Sequence, residues 1–179
     1  LGEVIQLETI RRQLAAKRGF HYWSRRFGEV FSEDTRLQDL SSATLGKLIQ
    51  AGEQTTQALN ELIMGVKNID SESQPHRMDN SQKMAIMDMA IFLIDQIRFE
   101  CMRRLGWIES YQTMDASLVD MIADFADWRS SGQAYTPPLA PDHPRYGEYL
   151  KEFDTDRMAF VRRLIPEAIE TFQQRFLEQ

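Results

Sequence analysis

Residues 84–97, MAIMDMAIFLIDQI, are apolar at nearly every position around a helix, and no other stretch limits the fold as much. A helix apolar on all sides belongs at the centre of a bundle, with other helices covering it. Asp79 or Asn80 can cap its start and Gly106 can stop it, which predicts a central helix over about 80–105. Only Asp88 and Asp95 interrupt the apolar run with charge.

Around this pillar the sequence supplies amphipathic partners. Leu45, Leu48, Ile49, Leu59, Leu62, Ile63 and Val66 keep helical spacing from a cap at Ser41 or Ser42 to about Lys67, before a polar loop that contains Pro75. Asp115 can cap a further helix with the face Leu118, Met121, Ile122, Phe125 and Trp128, stopped by Gly132. Residues 133–147 hold four of the six prolines and read as a long, partly extended surface loop. A short helix over 146–153 follows. Val161, Leu164, Ile165, Ala168, Ile169, Phe172 and Phe176 then stay in phase across Pro166, which predicts one last helix bent at that proline. No segment alternates with period two and no repeat is present. With only nine glycines in 179 residues, the reading is all-α. It is a single-domain bundle of five or six helices, residues 34–179, with a helical arm over 1–33 packed on it.

The arm is expected to be kinked. Leu7, Ile10 and Leu14 share one helical face, while Phe20, Trp23, Phe27, Val30 and Phe31 share another. The two stripes differ by roughly 150° at 100° per residue. A straight helix facing one core does not allow that shift, and Gly19 lies in the gap. The first stripe is narrow, so it suits the body of the bundle or another copy of the chain.

The same arm holds the densest positive charge. Arg11, Arg12, Lys17, Arg18, Arg25 and Arg26 occur with no acid between them, in a chain of net charge −6. An anion or an acidic protein surface is the contact that Arg11, Arg12, Arg18, Arg25 and Arg26 could make. A kink at Gly19 divides these cations into two groups, however, and turns the rings toward the core, where they cannot stack on bases. No recognised nucleic-acid-binding signature is present. Salt-bridging or solvated cations beside a core are therefore the favoured reading.

Asp88 and Asp95 are the candidate metal ligands. Seven residues separate them, about 10.5 Å along a helix, too far for one ion without carboxylates from a facing helix. Glu53 and Glu61 are the acids the preceding helix offers, and they form no Glu-x-x-Glu or Glu-x-x-His pair. The favoured alternative pairs Asp95 with Arg98 and Asp88 with an arginine of a neighbouring helix. Asp120, Asp124 and Asp127 form an acidic row that the phase turns to solvent, available to a basic partner. His21, His76 and His143 fall in separate segments without ligand spacing, and Cys101 reads as a small core residue. There is no phosphate-binding glycine loop and no nucleophile elbow.

One cysteine excludes an internal disulfide. No apolar run reaches ~18 residues and no signal sequence opens the chain, so no membrane partner is expected and cytoplasm is the default location. The first functional reading is a non-enzymatic helical protein that acts through protein–protein contact and self-associates as a homodimer, with no cofactor. A metal-dependent hydrolase of nucleotides or phosphoesters, holding a divalent ion through Asp88 and Asp95, is the second. A nucleic-acid accessory role for residues 11–26 is the third.

Overall fold

The computed structural model describes residues 2–69, 78–131 and 135–178. Pro75, His76 and Gly132 lie outside them. Among the described residues there is no β-strand, only one isolated antiparallel bridge between Arg36 and Ser117. The architecture is all-α.

Helix α1, Gly2–Gly19, meets α2, His21–Phe27, at Phe20, whose φ of −89° and ψ of 2° leave helical geometry. The backbone bonds carry across the junction. Phe20 N donates to Ala16 O at 2.9 Å, and Phe20 O accepts from Ser24 N at 2.8 Å. Gly28 closes α2 with φ 69°, a left-handed value that glycine adopts without a Cβ clash. The aromatic stripe of α2 turns inward. Phe20 and Trp23 are buried, and the Trp23 ring lies 5.5 Å from Phe20, 5.5 Å from Phe27 and 5.7 Å from Phe31. Its indole N–H donates to Ala58 O at 2.7 Å, so the one polar atom of this ring is satisfied in the core.

The long helix predicted up to Lys67 is two helices. α3, Ser42–Leu48, is capped by Ser41, whose side chain accepts from Thr44 N. α4, Glu53–Val66, begins after Gly52, where φ is 154°. Apolar phase runs through the break, which is why spacing alone does not show it.

The pillar is α5, Asn80–Arg104, and its start is a reciprocal capping box between Asp79 and Gln82. Gly106 follows with φ 77°. α4, α3, the 3-10 turn Leu37–Asp39 and the C-terminal helix Ile165–Phe176 pack against α5. They do not enclose it. Met84, Met87 and Ile91 remain exposed, so the expected all-round covering fails over the first half of the helix. The side carrying Ile86, Met89, Ala90 and Leu93 is buried there, while Asp88 and Phe92 meet Arg129 and Phe125 of the region after α5.

The region after α5 departs further from expectation. Ser117, not Asp115, caps the next helix by accepting from Asp120 N. That helix stops at Asp124, giving α6, Leu118–Ala123, and α7, Phe125–Ser131. The described part of the proline-rich loop is not a surface loop throughout. Leu139 and Ala140 are buried, and Ala140 N donates to Trp107 O at 2.8 Å. α8, Tyr146–Leu150, is the expected short helix. The expected bent last helix is instead α9, Asp154–Arg163, and α10, Ile165–Phe176, joined at Leu164 with Pro166 in the first turn of α10. Proline is tolerated there because a first-turn N–H has no intrahelical acceptor. Buried apolar residues from Ala15 to Phe172 form one contiguous cluster.

Candidate functional site

No large apolar side chain seats α1 on the bundle. Its buried residues are Ala15, Ala16 and Gly19. It crosses α4 at Gly65, and the two backbones come so close that a Cβ on Gly65 would lie 2.5 Å from Gly19 Cα and 2.6 Å from Arg18 O. Arg18 fastens the crossing by donating from Nε to Gly65 O at 3.1 Å.

The stripe of Leu7, Ile10 and Leu14 is therefore left over. These residues are 58, 49 and 48 % exposed, and residues 2–11 are exposed at every position. Two helical turns or more extend without burying a side chain. Beside them runs an open groove of about 750 Å³. Val4, Leu7 and Leu14 form one wall of it, and Val66, Val119 and Ala123 form the other. Glu8, Arg11 and Arg18 border it. The groove combines an apolar lining with a charged rim, the usual composition of a protein contact surface.

Of the five candidate arginines, Arg11, Arg12 and Arg18 stand on α1 and Arg25 and Arg26 on α2. Arg12 is the most engaged. Its Nε and Nη2 grip Asp120 Oδ1 and Oδ2 at 3.0 and 3.1 Å, and Nη2 also donates to Asp34 Oδ1 at 3.1 Å and to Glu33 O at 3.2 Å. The hydrogen bond that Arg12 donates to Asp120 is the main reason the Arg12 pKa lies above its ordinary value. Asp120 thus faces its own chain's Arg12 instead of solvent, which corrects the acidic-row expectation for that residue. The phase argument missed it because α1 passes beside α6. Arg18 binds Gly65 O, and Arg26 donates to Gln54 Oε1 at 2.6 Å on the far side of the kink. Arg11 and Arg25 are exposed. Arg12→Ala is expected to cost about 1 kcal/mol, because the pair is bidentate but partly solvated. Urea melts of Arg12→Ala, Asp120→Ala and the double variant check this, with the double costing no more than about either single.

Asp88 and Asp95 each face an arginine of another helix. Asp88 Oδ2 accepts from Arg129 Nη1 at 3.0 Å, and Asp95 Oδ2 accepts from both Arg162 Nη1 and Nη2 at 3.1 Å. Arg98 stands 3.8 Å from the other oxygen of Asp95. The structure does not bring the two carboxylates to a common point. Among the described residues no group of three or more His, Cys, Asp or Glu side chains gathers at metal-binding distance.

A buried polar cluster went unread in the sequence. Glu100 has no exposed surface and accepts four hydrogen bonds. Arg103 contributes two, at 2.9 and 2.8 Å, Arg104 one at 2.8 Å and the Tyr111 hydroxyl one at 2.8 Å. Burial pushes the Glu100 carboxyl up, but the bonds from Arg103, Arg104 and Tyr111 outweigh it and hold the pKa below the usual value. Burial, with the Glu100 charge beside it, pushes the Tyr111 hydroxyl far above its ordinary range. Arg104 also donates through Nη2 to Leu40 O at 2.6 Å and to Leu37 O at 3.2 Å. Next to this cluster Thr113 Oγ1 donates to Gln96 Oε1 at 2.6 Å. Each buried polar group here has its partner, and Cys101 is a buried thiol whose pKa burial pushes up. The cluster is a closed structural tie. His143, beside the Trp107 ring at 4.9 Å, is held below its ordinary pKa by burial, and its Nδ1 accepts from Arg145 N.

No helix among the described residues is long and apolar enough to cross a membrane. No family model, no curated protein and no solved structure matches the chain.

Proposed function

We propose that this protein works by protein–protein contact through α1 and its groove, and that it self-associates there. One observation carries the reading: residues 2–11 are exposed on every side while presenting Val4, Ile5, Leu7 and Ile10 to water. A free helix of that length is marginal in water, because nucleation is costly and most helical stability comes from packing an apolar face. The exposed turns therefore gain most from a partner that covers Leu7, Ile10 and Leu14. The adjoining groove enlarges the surface such a partner can bury.

Leu7→Glu combined with Leu14→Glu tests this. Both side chains are about half exposed, so the fold and the melting temperature are expected to stay within the range of ordinary surface changes. Light scattering and sedimentation equilibrium are expected to show a concentration-dependent dimer for the parent chain and a monomer for the variant. A parent chain that stays monomeric at hundreds of micromolar would remove the reading.

A further inference from the structure

We infer that the partner on α1 is the α1 of a second copy, running antiparallel to the first. This rests on the contact reading above and deepens it. The reason is the distribution of charge along the helix. In α1 the acids, Glu3 and Glu8, occupy the first half, with no lysine or arginine among residues 2–10. The bases, Arg11, Arg12, Lys17 and Arg18, occupy the second half, with no acid among residues 11–19. Arg12 is already committed to Asp120 and Asp34 of its own chain. Glu3, Glu8, Arg11 and Lys17 are exposed.

A helix divided in this way is complementary to itself when reversed. Antiparallel pairing sets Glu3 of each copy against Lys17 of the other, the two charges that lie beside the stripe of Leu7, Ile10 and Leu14 at 100° per residue. Parallel pairing sets acids against acids and bases against bases, which costs affinity. The antiparallel arrangement also obeys a two-fold axis, so one patch serves both copies and the contact closes without forming a chain of copies. The side of α1 that meets α4 carries Ala15, Ala16 and Gly19. The stripe lies on roughly the opposite side at 100° per residue.

The test reverses the polarity of the helix. A variant with Glu3→Lys and Lys17→Glu is made in the full chain, and circular dichroism verifies its helix content. Antiparallel pairing predicts that the reversed variant dimerises with itself about as well as the parent does. Mixed parent–variant dimers are then expected to be about tenfold weaker, because every rim charge meets its like. Native mass spectrometry of the mixture reads the three species. Mixed dimers in excess of both homodimers indicate parallel pairing, and a statistical mixture indicates that the charges do not orient the pair. Either result overturns this inference and leaves self-association standing. A monomeric parent overturns both. A cross-linking experiment gives a check that does not depend on charge reversal, since the native Cys101 is buried and inert. Chains carrying Gln6→Cys are expected to form disulfides with chains carrying Gln13→Cys in preference to like with like. Preferential 6–6 and 13–13 products would sink the antiparallel arrangement.

Discussion

Replacing Glu100 by alanine is expected to lower the unfolding free energy by about 3–5 kcal/mol, the usual cost of removing one partner from a buried ion pair. The side chain is fully buried and receives four hydrogen bonds from Arg103, Arg104 and Tyr111. Its loss leaves the largely buried Arg104 guanidinium and the Tyr111 hydroxyl without their carboxylate. For a chain of this size that corresponds to a fall in melting temperature of roughly 6–20 °C. Urea and thermal melts measure it, and a loss under 1 kcal/mol would show that the cluster contributes little. Acid should act in the same direction. A carboxyl whose pKa is lower folded than unfolded adds stability above its unfolded value, and the contribution disappears as pH falls through the folded value. Glu100 is depressed from 4.5. Its contribution is therefore complete at neutral pH, begins to fall near pH 4.5 and is gone below the folded pKa. Asp39, lowered mainly by its bond from Arg36, adds a loss of the same sign. Glu100→Gln is expected to flatten the acid limb of the stability profile by the Glu100 share alone.

The second large effect is expected at the crossing of α1 and α4. Gly65→Ala places a methyl group 2.5 Å from Gly19 Cα and 2.6 Å from the Arg18 carbonyl carbon and oxygen. These are backbone atoms, so no change of rotamer relieves the clash, and α1 must lift from α4. The cost is about 3 kcal/mol, the upper end for overpacking a core, and it includes the bond from Arg18 to Gly65 O. Gly147→Ala is the control. It lies within α8 with nothing within 4 Å of the added methyl, and is expected to be neutral or slightly stabilising. Equal effects at the two positions would mean that the close approach does not hold α1.

These two sites mark where sequence pattern stops being informative. The pillar was legible because Asp79, Gln82 and the apolar run agree on one helix. The inward turn of Phe20 and Trp23 was legible because the stripe changes phase beside Gly19. The seat of α1 was not, because Ala15, Ala16, Gly19 and Gly65 add almost nothing to an apolar pattern, and the stripe that dominates it faces water. The breaks at Gly52 and Asp124 were hidden by apolar phase that continues through them. Glu100 left a usable signal. It stands seven residues after Leu93 and fourteen after Ile86, on the buried side of α5, with Arg103 and Arg104 three and four residues on. A carboxylate in core phase with two arginines one turn later is the pattern of a buried ionic tie.

The grip of Arg104 on the carbonyls of Leu37 and Leu40 also constrains the order in which the chain can assemble. The 3-10 turn at Leu37–Asp39 is held locally by the reciprocal bonds of Arg36 and Asp39, and its distant partner Arg104 lies 67 residues after Leu37. During synthesis those carbonyls leave the ribosome well before Arg104 exists, and they stay hydrated until α5 is complete. The stretch between α2 and α3 is thus tied to the core by a side chain synthesised more than sixty residues after it.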